Sequence, residues 1–391
     1  MNLPCSFLLR LTAAAVCCLK VGLSAFGLTP NDNALFLAGL PASDPLALES
    51  IQKATIQEHR STFQKAWAEF DRRQTNPIQA WGKEYLPAAR PAPRPLIYLF
   101  SGPDILHAHT FFPEAPVYVL CGIEPIGNIP QVDQMEASKI GPSLQQIRQS
   151  LDSVLSWSFF KTKNMKTDLT ASPLQGTIPI LYVFLARMGC HVDSINWVSI
   201  DRKGALVADK IPGTLAPGIK VQFTRAGQAT PQTVYYFCSD LSDSTASKSG
   251  LLPWCASLGP ADAFLKSASY LMHGEGFRLC RKFLIENSVR LLQDDSGIPL
   301  KHFGEDQWNL QPFGSFNEPI PLFKEYPQPE LAALFAKNSQ KALPFAFGYH
   351  WRPKQSGILL ATKKPALSSD NGENEPGRHT AGLAKRPAAN R

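Results

Sequence analysis

Two uninterrupted apolar runs, residues 96–100 (Leu-Ile-Tyr-Leu-Phe) and 117–121 (Val-Tyr-Val-Leu-Cys), are separated by one turn and room for one short helix. Apolar runs of this length without polar alternation are strands covered on both faces, the signature of a parallel sheet flanked by helices. Residues 101–104 (Ser-Gly-Pro-Asp) end the first run, and Pro103 stands near the start of a helix over 105–112.

The pattern continues along the chain. Helical periodicity marks 142–160, 178–188, 261–272 and 277–286, and strands are expected at 192–200, 219–224, 233–238 and 289–292. The polar turn 225–232 predicts that its two flanking strands pair. Phe345, Phe347, Tyr349 and Trp351 alternate as on one face of a strand, which predicts a closing antiparallel pair between 345–351 and 358–361. Strands separated by helices define an α/β fold with a mixed, partly parallel central sheet.

Residues 1–27 contain no acidic residue, and carry Arg10, the apolar stretch 11–19 and small residues Ala25 and Gly27. This predicts a signal peptide cleaved before Leu28, and its apolar stretch is half the length of a bilayer span. Residues 28–85 read as an N-terminal helical segment, with one apolar stripe through Ile51, Ile56, Phe63, Trp67 and Phe70. Residues 86–95 form a connector with Pro87, Pro91, Pro93 and Pro95, residues 96–363 the α/β body, and 364–391 a disordered tail without hydrophobic periodicity.

The formal net charge of +7 invites a nucleic-acid partner until the charges are placed. The leader carries +2 and the segment from Lys363 onward +3, leaving +2 for the folding part. A body so near neutrality excludes nucleic acid as an expected partner. No later stretch is apolar enough for a stable transmembrane anchor. Of the eight cysteines, Cys121, Cys190, Cys238, Cys255 and Cys280 lie beyond the leader. None shows C-x-x-C spacing, so buried thiols with at most one or two disulfides are expected, and no metal site.

Open α/β sheets place ligands beyond the carboxyl ends of their strands. Ser101 and Asp104 follow the first strand, Glu124 the second, and Asp294 and Asp295 the strand at 289–292, making these five the candidate ligand-binding residues. Gly102 alone stands where a dinucleotide fingerprint requires three spaced glycines. No cofactor is therefore assigned. The pair Asp294-Asp295 enters a turn-forming Ser-Gly, and adjacent side chains in extended chain diverge, so the two carboxylates are not expected on one atom. His107, three residues after Asp104, is within its reach, whereas His107 and His109 do not share a helix face. G-x-S-x-G, H-E-x-x-H, P-loop and EF-hand motifs are missing from the sequence.

Read as phrases, residues 98–104 (Tyr-Leu-Phe-Ser-Gly-Pro-Asp), 111–113 (Phe-Phe-Pro), 122–125 (Gly-Ile-Glu-Pro), 267–271 (Ser-Ala-Ser-Tyr-Leu) and 293–299 (Gln-Asp-Asp-Ser-Gly-Ile-Pro) resemble a group of exported bacterial proteins to which no activity is assigned. The resemblance spans residues 30–361 and implies export, to the periplasm or outside the cell, and one body throughout. Two readings of function follow. The first is an exported α/β protein that binds a small polar ligand or an envelope partner at the strand ends. The second is an enzyme, a transferase or hydrolase on a nucleotide-binding-like fold, with Asp294 or Glu124 as base.

Overall fold

The structure, a computed structural model, describes residues 27–42, 53–86, 92–157, 173–338, 341–352 and 354–365. The expected leader up to residue 26, residues 87–91 of the Pro-rich connector and the tail from 366 lie outside the described residues.

The centre is a ten-stranded mixed sheet of order β4-β3-β5-β6-β2-β1-β7-β8-β10-β9. In chain order the strands are β1 Leu96–Tyr98, β2 Val117–Gly122, β3 Cys190–Ile200, β4 Leu206–Val207, β5 Ala216–Arg225, β6 Gln232–Cys238, β7 Ala261–Leu265, β8 Ser288–Gln293, β9 Trp308–Gly314 and β10 Gly357–Lys363. The middle five, β6-β2-β1-β7-β8, are parallel. Antiparallel pairs extend the sheet on each side, β5 with β3 and β6 at one end and β10 with β8 and β9 at the other. The mixed α/β architecture expected from the apolar runs is thus the observed one.

Alternation along the buried strands divides the core in two. Leu96, Tyr98, Tyr118 and Leu120 face one layer of helices, whereas Ile97, Leu99, Val119 and Cys121 face the other. The first layer holds α1 Pro30–Leu37, α2 Lys53–Phe70, α3 Asn76–Tyr85, α4 Ile105–Phe111, α5 Ala137–Trp157 and α6 Ile178–Arg187. A five-residue π-helical turn, Asp71–Thr75, joins α2 to α3. The N-terminal helices therefore pack into the same core as the sheet. Phe63, Trp67 and Phe70, from the apolar stripe read in the sequence, are 3% exposed or less. The second layer holds α7 Asp243–Ser249, α8 Leu251–Ser257 and α9 Arg278–Asn287. Among the described residues no helix is long and apolar enough to cross a membrane.

Two local expectations are overturned. The stretch read as a helix over 261–272 begins instead with β7, Ala261–Leu265, and continues into an irregular loop. Ala and Leu favour helix, but pairing with β1 and β8 on both sides and complete burial outweigh that small preference. The proposed strand at 345–351 is a loop holding only the isolated bridge Phe347–His350, and β10 pairs with β9 and β8. Phe345 and Phe347 are buried, Trp351 is exposed, and Gly348 at φ 66° breaks the alternation.

Cys121, Cys190, Cys255 and Cys280 are buried free thiols and Cys238 is half-buried. Burial pushes the Cys190 and Cys280 thiols up to about 12, which suppresses the reactive thiolate. In the folded chain at mildly alkaline pH, iodoacetamide is expected to leave these four unmodified and to label them all in denaturant. Peptide mass mapping checks this, and native labelling of any of the four contradicts the packing.

Candidate functional site at the carboxyl edge of the sheet

The direction of chain progression reverses between β1 and β7. From β1 the chain crosses through α4 on one face to β2, and from β7 through α9 on the other face to β8, away from β1. In α/β sheets the loops at the carboxyl ends beside such a reversal are where ligands bind. The two loops are 99–104 after β1 and 266–270 after β7.

Both loops carry backbone strain. Of the five non-glycine residues with positive φ among the described residues, four lie here: Phe100 (62°), Ser267 (56°), Ser269 (55°) and Tyr270 (53°). Each left-handed non-glycine residue costs on the order of 1 kcal/mol or more and persists only where its surroundings enforce it.

The enforcing contacts form a buried polar cluster. Lys266 Nζ lies 2.7 Å from Asp104 Oδ2, and both side chains are 2% exposed. His107 Nδ1 lies 2.8 Å from Asp104 Oδ1 and 2.9 Å from Lys266 Nζ. The Tyr98 hydroxyl donates to Asp104 Oδ2 at 3.2 Å. Asp104 also caps α4, accepting from the His107 amide at 3.2 Å. Burial raises the Asp104 carboxyl, but His107 and Lys266 outweigh it and hold the group at about 2. Burial lowers both Lys266 and His107, opposed in each case by Asp104. The His107 Nδ1 atom can donate to Asp104 or accept from Lys266, but not both at once. One proton position therefore decides which bond is made.

Asp294 closes the cluster from the β8 side. Its Oδ2 accepts from the Ser267 amide at 2.9 Å, while Oδ1 accepts from the Ser296 amide at 3.1 Å and hydroxyl at 2.6 Å. The turn expected at Asp294-Asp295-Ser296-Gly297 is thus formed, and the same carboxylate anchors the strained loop after β7. A Cβ on Gly348 would collide with Asp294 Oδ2, so this glycine lets the 343–350 loop pass directly over the site. Burial first, and Asp295 second, raise Asp294 to about 7.

The five sequence candidates divide. Asp104 and Asp294 meet through Lys266, whose pKa responds to both. Asp295 turns the other way, as adjacent side chains do, and accepts from the Tyr270 hydroxyl with His350 Nε2 at 3.7 Å. Ser101 and Glu124 lie on the β2 side of Gly102. Ser101 Oγ donates to the Gly102 and Cys121 carbonyls, and the Glu124 carboxylate sits beneath Gly102 and Gly122, a space that a Cβ on Gly122 would close. The Tyr236 hydroxyl donates to the Glu124 carbonyl at 2.8 Å. Glu124 and Asp294 therefore belong to neighbouring but separate groups.

Beside the loop after β7 are aromatic groups whose alternation in the sequence points to a strand face rather than to a site. The Tyr349 hydroxyl bonds Ser269 Oγ at 2.7 Å and the Ser267 carbonyl at 3.0 Å. Tyr270 stacks on Tyr326 (5.3 Å between centroids, 6° between planes) and on Tyr349 (6.5 Å, 9°). Lys266 was hidden because the run before it resembles a helix. A buried strand followed by a charged residue is the signal that would have found it. Among the described residues no group of three or more His, Cys, Asp or Glu is placed to hold a metal. No family model, curated protein or solved structure matches this chain.

Proposed function

We propose that this is an exported protein that binds a small polar ligand beside the β1 and β7 loops. The observation that carries the reading is the concentration of left-handed non-glycine backbone in the two loops at the sheet's reversal point. Beside the strained loop after β7, Ser269 and Tyr349 are half-buried and Asp295 supplies a carboxylate beside the stacked tyrosines. Hydroxyls, a carboxylate and aromatic faces suit a ligand bearing hydroxyl or ammonium groups. An enzymatic reading, hydrolase or transferase, is second. It draws on the His107 nitrogen shared by Asp104 and Lys266 and on the raised Asp294.

A thermal-shift screen with monosaccharides, polyols, amino acids and dicarboxylates tests the first reading. A ligand present at about one hundred times its Kd is expected to add about 2.7 kcal/mol of stability. Tyr349→Phe and Asp294→Asn should each weaken the affinity about tenfold, the cost of one hydrogen bond to a polar or charged group, and so roughly halve that stabilisation. An undiminished response in both variants would remove these loops as its origin.

A further inference from the structure

The opposite edge of the sheet holds a second feature that the carboxyl-edge cluster does not touch. A cavity of about 1020 Å³ lies at the amino ends of β1, β7 and β8, bounded by α3, the π-helical turn and the last turns of α4 and α6. Its size suits an organic molecule rather than a lone inorganic ion.

Two properties of its lining point to one class of occupant. Part of the wall is apolar, formed by Trp67, Leu106, Phe111, Phe112 and Met188. The remainder carries five cations, Lys83, Arg94, Arg187, Arg225 and Arg290, against three carboxylates, a surplus of two positive charges among the described lining residues. Asp262 serves both Arg94 (3.6 Å) and Arg290 (2.5 Å), and Glu114 lies 3.3 Å from Arg225.

Arg187 is the most telling of these side chains. Its Nε and Nη2 atoms are shut off from solvent and have no hydrogen-bond partner among the described residues. Its guanidinium lies against the rings of Phe63 and Trp67, at 5.6 and 5.7 Å from their centroids. Burial lowers its pKa to about 10, with Asp71 opposing, so it stays charged at neutral pH. A planar guanidinium at the cavity wall matches a carboxylate or phosphate fork. Trp67, which lines the cavity, also packs against this cation, so apolar wall and charge are adjacent.

We propose that this cavity binds an amphiphilic organic anion, with its carboxylate or phosphate on the arginines and its apolar body along the Trp67–Phe111–Met188 wall. Headgroup and tail each contribute, and neither suffices alone.

Isothermal titration of the full chain with octyl phosphate, octanoate, octanol and inorganic phosphate separates these contributions. Octyl phosphate or octanoate is expected to bind saturably with one site per chain. Octanol and inorganic phosphate should each bind at least ~10-fold more weakly. Arg187→Gln should weaken the amphiphile ~10-fold or more. Should that variant fail to fold, Arg225→Gln, whose side chain is 28% exposed, decides, with a loss of several-fold expected. Octanol binding as tightly as the anions would overturn the role of the arginines. Inorganic phosphate binding as tightly would overturn the role of the apolar wall. Absence of binding by both amphiphiles would overturn the site itself.

Discussion

Replacing Lys266 with Met is expected to lower stability by about 3–5 kcal/mol, the cost of removing one partner from a buried ion pair. Met retains most of the volume, so the loss reports charge rather than packing. With Lys266 gone, the Asp104 carboxylate is left beside Tyr98 and His107, and its pKa rises from about 2 because burial is then opposed by His107 without Lys266. The double variant Asp104→Asn/Lys266→Met removes both charges and should recover much of the loss. Urea denaturation of the four members of the cycle at neutral pH gives the coupling energy directly. A single variant within about 1 kcal/mol of wild type would mean that the pair merely breaks even with its desolvation.

Acidification is expected to act through His59, among other buried histidines. Its Nε2 lies 3.0 Å from the Leu37 carbonyl and its Nδ1 3.2 Å from Arg148 Nη1. Only a neutral ring, donating from Nε2 and accepting at Nδ1, makes both bonds. Burial, assisted by Arg148 and Arg187 and opposed by the bond to Leu37, lowers its pKa from 6.5 to about 4. The folded pKa lies below the unfolded one, so the unfolded chain takes up the proton first. The stabilisation is complete above about pH 6.5 and is lost as pH falls toward 4, by about 3 kcal/mol. His109, 6% exposed and also lowered to about 4, chiefly by burial, acts in the same direction. Asp294, raised by burial and Asp295, acts against both. His59→Gln isolates the effect, because an amide can make the same two bonds without titrating. Between pH 7 and pH 4 the wild type is expected to lose about 2–3 kcal/mol more than this variant. Parallel stability curves for the two proteins would show that His59 does not titrate in this way.

The legible parts of the structure were those where local pattern and tertiary demand agree. The runs at 96–100 and 117–121 were read as buried strands because no helix or exposed strand needs five consecutive apolar residues there. β3, β5 and β6 are legible as strands, and the pairing of β5 with β6 as well, because a polar turn of low β propensity separates those two. The reading failed at 261–265, where Ala, Asp, Ala, Phe and Leu hold no β-branched residue and the strand exists only because β1 and β8 flank it. It failed again at 345–351, where alternation of aromatic residues mimics a strand. Gly348 turns the chain there so that Phe347 enters the core and Tyr349 reaches the loop after β7.

The same division runs through the candidate site. Asp104, Asp294 and the turn at Ser296 could be named from sequence because they follow apolar strands and carry turn chemistry. Lys266, Tyr270 and Tyr349 could not, since their meaning depends on which loops the strand order brings together. By itself the sequence determined the fold class, through apolar runs that only a sheet covered on both faces can bury. It also determined the near-neutral charge of the part that folds. Tertiary structure decided where the chain reverses between β1 and β7, and hence which charges share one buried cluster. It also decided where an arginine-lined cavity opens at the opposite edge. Side-chain burial is written locally in the periodicity of the chain, whereas convergence of distant loops is set by strand order, which no local pattern encodes.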